Sequence, residues 1–167
     1  EHVSMVLQRY GDVVGMYNIA SGINTNELCS LDRKQMIDLT RTLAVLIRQG
    51  RRGRRVMVEL SQPWGEFTSR NDQAMAPLVY LEQLIQEGVH LDAVGVQLLM
   101  GDGQGGMVSR DLMEVSRLLD RFFLLELPII LSNVGAPSEQ IGAAGGWWHT
   151  QWSPSRQASW AARIFPL

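Results

Sequence analysis

Four short apolar runs separated by longer amphipathic ones constrain this chain more than any other feature. The runs are residues 13–20 (VVGMYNIA), 55–60 (RVMVEL), 93–100 (AVGVQLLM) and 129–134 (IILSNV). Each is short, rich in Val, Ile and Leu, and mostly continuous in its hydrophobicity. That is the pattern of parallel strands buried on both faces. A fifth apolar run, residues 122–125, reads as a helix end.

The intervening segments predict helices. Residues 31–49 place Met36, Leu39, Leu43 and Leu46 on one stripe, with Ser30 as N-cap. Residues 74–87 group Leu78, Leu81, Leu84 and Ile85, and Gly88 follows as a stop. Residues 110–126 group Leu112, Val115, Leu119 and Phe122. The last helix opens on Ser153 and Pro154, an N-cap followed by proline at the first helical position, and runs to Phe165. With a helical piece in front, the order is four βα units of roughly 40 residues each. A closed (β/α)8 barrel takes about 250 residues, so four units cannot complete one. Periodicity leaves an open doubly wound sheet as the alternative. The absence of repeats and low-complexity linkers gives a single domain over residues 1–167.

Charge narrows the partners. The formal net charge is −2, which draws the chain to neither nucleic acid nor anionic lipid. No apolar run reaches the ~20 residues that span a bilayer. Cys29 stands alone, so no internal disulfide and no cysteine zinc site form. No signal peptide opens the chain, and its first residues read as the middle of a longer one. His2, His90 and His149 are isolated in sequence, so no metal site is expected.

Several motifs line up in order. Residues 13–24 read VVGMYNIASGIN and resemble the fourth-strand segment W-D-V-V-N-E of glycoside hydrolase family 10. Tyr17 then matches the tryptophan, Asn18 the aspartate, Ser21 the asparagine and Gly22 the acid/base glutamate. Residues 91–97 (LDAVGVQ) resemble the sixth strand, I-D-G-I-G-L-Q. Residues 127–133 (LPIILSN) resemble L-P-I-x-I-T-E, with Asn133 at the nucleophile's place. Gln157 and Ala158 resemble the Q-A pair before the eighth strand. Residues 62–67 (QPWGEF) and 145–160 (GGWWHTQWSPSRQASW) resemble a divergent endo-1,4-β-xylanase-like branch. The resemblance implies the C-terminal half of a TIM-type barrel, a xylan-type β-1,4-glycan as partner, no cofactor and export from the cell.

It also implies an impaired enzyme. Retaining hydrolysis needs two carboxyl groups ~5–5.5 Å apart. Glycine has no side chain, and asparagine does not attack the anomeric carbon as a carboxylate does. Glu59 and Glu66, near the end of the second strand and in the loop beyond it, are the acids available to replace them. Their bland reading is a structural barrel acid and a loop salt bridge. Trp64, Trp147, Trp148, His149 and Trp152 fall in loops after strands, where aromatic faces stack on sugar rings or plug the loop onto the sheet. Gln62 and Gln97 offer hydrogen bonds to hydroxyls, or to backbone. Three functions remain open. These are a silent glycan-binding domain, a working hydrolase on Glu66 and Glu59, and an interaction subunit whose sheet edges meet the missing barrel half or another chain.

Two other patterns carry less. Residues 101–106 (GDGQGG) fit G-x-G-x-x-G, but no helix opens at once and the next strand ends in Ser132 and Asn133 rather than an acid. The run at 51–55 (RRGRR) precedes a strand and reads as a solvated loop. Ser132 and Ser153 lack histidine and acid companions, so a serine hydrolase triad is not expected.

Overall fold

The computed structural model describes residues 2–49, 53–101, 108–140, 142 and 148–166. Its elements follow the expected order. They are α1 (His2–Tyr10), β1 (Met16–Ser21), α2 (Arg33–Gln49), β2 (Arg55–Leu60), α3 (Pro77–Gln86), β3 (Ala93–Leu99), α4 (Leu112–Phe123), β4 (Ile129–Gly135) and α5 (Pro154–Ile164). The strands form one parallel sheet in the order β1-β2-β3-β4. This order has no reversal. Right-handed crossovers that always step the same way lay their helices on one face. A doubly wound sheet instead reverses its strand order at a switch point.

Side-chain alternation agrees. Tyr17, Val56, Val58, Leu60, Val94, Val96 and Leu98 pack with Met36, Leu81, Leu84, Leu118, Phe122 and Trp160 of the helices in one core. The alternate positions include Met57 and Ile130, and neither belongs to that core. Ile130 is 36% exposed, so this second face is open at the β4 side.

Several boundaries differ from the sequence reading. β1 begins at Met16, because residues 11–13 form a turn in which the Val13 and Val14 amides bond the Tyr10 carbonyl. The N-cap of α2 is Asp32, not Ser30. The Asp32 carboxylate accepts from the Gln35 amide at 2.8 Å, and the Gln35 side chain accepts from the Asp32 amide at 2.8 Å. The buried stripe of α2 is Met36, Ile37, Thr40, Ala44 and Ile47, while Leu39 and Leu46 are exposed. Rotation by about one residue lets Thr40 enter the core, because its hydroxyl bonds the Met36 carbonyl and the Tyr80 hydroxyl. Ile85 is likewise exposed. Helix α3 starts at Pro77, later than residue 74, since Ala74 and Met75 bond loop carbonyls of Asn71 and Asn24. Helix α4 is shorter at both ends than 110–126, capped by Asp111 and Glu114 in a reciprocal pair. Ser153 and Pro154 open α5 as read, and the helix ends at Ile164.

Candidate functional site

The C-terminal ends of the strands carry one polar side chain after another on the open face. Glu59, next to last in β2, is the hub. Ser21 of β1 donates a short hydrogen bond to Glu59 Oε2, and Gln97 of β3 donates to the same oxygen at 2.9 Å. Ser61 in turn donates to Gln97 Oε1 at 3.1 Å. Ser132 of β4 and Asn18 of β1 stand beside the carboxylate, and the Ser132 hydroxyl is buried with no hydrogen-bond partner of its own. Side chains of all four strands therefore gather around one anion, and Ser21 and Gln97 bond it.

Two irregularities of the sheet aim these groups. Pairing of β1 with β2 slips between Asn18 and Ala20, and pairing of β3 with β4 slips between Val96 and Gln97. Strand side chains alternate with a period of two, so Asn18 and Ser21, three apart, belong on opposite faces of a regular strand. The bulge at Ile19 returns Ser21 to the face of Glu59, its register partner. On β4 the bulge leaves Ser132 unpaired in register, next to Asn133 opposite Gln97. Bulges beside a site re-aim side chains in this way.

The electrostatics follow from the donors. Burial leaves Glu59 9% exposed and pushes its carboxyl upward; the polar side chains of Ser132, Ser21, Gln97 and Asn18 around it outweigh this and hold it below the ordinary 4.5. Glu59 is therefore an anion near neutral pH. It is equipped as a hydrogen-bond acceptor or electrostatic stabiliser, not as a proton donor.

Gly22 and Asn133 both lie at the C-terminal ends of parallel strands, one residue past β1 and within the last turn of pairing of β4. Gly22 does more than lack a side chain. Its φ is +63°, and a Cβ there would stand 2.8 Å from Ser61 Oγ. Its amide bonds the Glu59 carbonyl at 2.9 Å. A glutamate at this place meets both left-handed backbone strain and a neighbour. The variant Gly22→Glu, alone or with Asn133→Glu, is expected to lose about 1–2 kcal/mol in urea unfolding and to release no sugar from xylan. Recovery of turnover by the pair would show that the backbone accepts the acid after all.

Glu66 follows the bland reading. Its carboxylate is ion-paired with Arg110, which also bonds Glu114 at 3.3 Å and lies 5.4 Å over the Trp64 ring. The loop after β2 is thereby fastened to the start of α4. Among the described residues no hydrogen bond or ion pair links Glu66 to Glu59. Trp64 keeps a half-exposed ring at this rim.

The remaining candidates divide. Trp148 is 3% and Trp152 4% exposed; they stack at 6.4 Å, Arg163 lies over Trp148, and Trp152 bonds Ser109 through Nε1 at 3.1 Å. They plug the loop between β4 and α5 and leave no face open to a sugar. His149 is exposed at φ +66°, with its ring edge on Trp148. Gln62 is buried and turned to the exposed Glu27 at 3.4 Å. Trp147 lies outside the described residues, as do residues 102–107 of the glycine-rich loop and residues 51–52 of the arginine run. The wider surface grooves, of about 400 and 440 Å³, lie between α2 and α3 and include none of the polar residues around Glu59.

Sequence reasoning missed Ser61 and gave Asn18, Ser21 and Ser132 no common role. The available signal was one polar residue near the end of each otherwise apolar strand. No family model matches this chain, and no curated protein matches it.

Proposed function

We propose that this protein is a family 10-like (β/α)8-type module, four consecutive units long, that binds a xylan-type β-1,4-glycan at the mouth of its sheet without the family's acid pair. The observation that carries this reading is the Glu59 cluster. It gathers hydroxyl and amide groups from all four strands at their C-terminal ends, where open and closed α/β sheets alike bind ligands. The unreversed strand order supports the barrel-type curvature. The cluster presents the polar groups that sugar hydroxyls need, and Trp64 offers an aromatic surface beside them.

A working hydrolase on relocated carboxylates draws less support. Glu59 is held as an anion by its donors and Glu66 is committed to Arg110, so neither is poised to give a proton to a leaving group. An interaction role draws on the edges of β1 and β4, unpaired among the described residues, which invite a further strand.

The test is titration with xylo-oligosaccharides followed by tryptophan fluorescence, alongside reducing-end release from xylan. Saturable binding, weakened about tenfold in Trp64→Ala, with hydrolysis at background, is the expected result. Turnover that disappears in Glu66→Gln would replace this reading with the hydrolase. Absence of binding to any β-1,4-glycan would remove it.

A further inference from the structure

Glu59 is a buried anion without a cation. Carboxylates more than nine-tenths buried are ordinarily paired with Lys, Arg or a metal. Here, only neutral donors meet it, and among the described residues no ion pair reaches it. Two basic groups in the loops and helix starts after the strands are otherwise engaged: Arg110 is held by Glu66 and Glu114, and Arg33 by the Asp72 carbonyl at 3.3 Å. Residues 102–107 and 143–147 contain no Lys or Arg, and Arg51 and Arg52 precede β2, whose other end carries Glu59. Among the described residues, then, no cation of the chain pairs with its central carboxylate.

The direction of the donors decides what complements it. The Ser21 hydroxyl spends its proton on Glu59, so its lone pairs are left to accept, and the buried Ser132 hydroxyl beside the carboxylate has no partner. The Gln97 amide spends its N–H on Glu59 and its oxygen on Ser61. Among the described residues no group of three or more His, Cys, Asp or Glu side chains gathers to hold a metal ion. A protonated amine needs only the one carboxylate. It donates to the serine oxygens and sits in the field of the carboxylate behind them.

We infer that the site prefers a glycan bearing a protonated amine, an oligomer of β-1,4-linked glucosamine, over neutral or acidic glycans. This rests on the glycan-binding reading above and goes beyond it by naming the charged group that Glu59 awaits. A glycan with a carboxylate at the same place meets repulsion from a fixed anion in a partly desolvated setting.

Calorimetric titration of the whole chain with a glucosamine tetramer, its N-acetylated counterpart and a xylose tetramer tests the inference. The expected result is about tenfold tighter binding of the free-amine oligomer at low salt, the ratio expected when a charged donor replaces a neutral one. That advantage shrinks as salt rises and vanishes in Glu59→Gln, in which whatever binding is left no longer distinguishes the free-amine oligomer from the other two. Should Glu59→Gln fail to fold, the salt dependence of the wild-type preference gives the same answer. Equal binding of the three oligomers would overturn the inference and leave the glycan reading standing. Binding of none would overturn both. A preference surviving intact in Glu59→Gln would place the amine elsewhere and also overturn it.

Discussion

Replacing Glu59 by alanine is expected to cost about 3 kcal/mol of stability in urea unfolding, far more than its net worth as one side chain suggests. The reason is the company it keeps. Removal leaves Ser21 and Gln97 without their common acceptor; the exposed Ser21 turns to water, but half-buried Gln97 is left unpaired at a desolvation cost of about 1–3 kcal/mol, to which the emptied volume of Glu59 adds. Part of this is recovered where water enters from the open face, so the total falls well short of the sum. Glu59→Gln keeps the shape and one oxygen acceptor and is expected to lose about half as much. The charge contributes separately and with a definite sign. The folded carboxyl lies below 4.5, so its stabilisation is fully present above the unfolded value and is lost as pH falls through the lower folded one. Stability measured across the acid range is therefore expected to fall more steeply in the wild type than in Glu59→Gln. Parallel pH profiles for the two proteins would mean that the donors stabilise the site without regard to charge.

Most of the architecture was legible because it rests on burial. β2 was read to its exact ends, and β3 and β4 to within one residue, since both faces of parallel strands are apolar at their centres. Helix faces were harder. In α2 the pattern of leucines suggested a stripe that the structure turns by about one residue, because Thr40 is polar by type but buried through two hydrogen bonds. The cap at Asp32 was hidden for a related reason. Ser30 and Asp32 are both good caps, and only the reciprocal bond to Gln35 chooses between them.

The site was only partly legible. Glu59 and Gln97 were visible as polar residues in apolar strands, and they do meet at 2.9 Å. What brings Ser21 and Ser132 to them is a pair of bulges, and a bulge has no reliable side-chain signature outside glycine. The tryptophans were legible only as two alternatives, sugar platforms or loop plugs, and Trp148 and Trp152 use their rings on each other. Composition of a loop does not say which face of a ring is spent on packing. The resemblance to family 10 puts Gly22 and Asn133 at the same end of parallel strands, and the structure has them at the C-terminal ends of β1 and β4, the two edges of the sheet. The left-handed turn at Gly22 adds what letters alone omit, that the backbone there is strained for any side chain.

Gly95 makes the last expectation. It lies directly between Glu59 and Ile130 in register, on the open face. A Cβ there would stand 2.5 Å from Met57 Cε, 3.2 Å from Glu59 Cβ and 3.3 Å from Glu59 Cα. The methionine end can swing away. The Glu59 backbone cannot, because it is fixed by the sheet on both sides. Gly95→Val should therefore cost about 3 kcal/mol, the upper part of the usual range for overpacking. It should also displace Glu59 from Ser21 and Gln97, so that oligosaccharide binding falls together with stability. The double variant Met57→Ala/Gly95→Val separates the two contacts. Relief of the methionine clash is expected to recover only a minor part of the loss, since the contact with Glu59 remains. Full recovery of both stability and binding in the double variant would show that Met57 alone demands the glycine, and that the position of Glu59 does not depend on it.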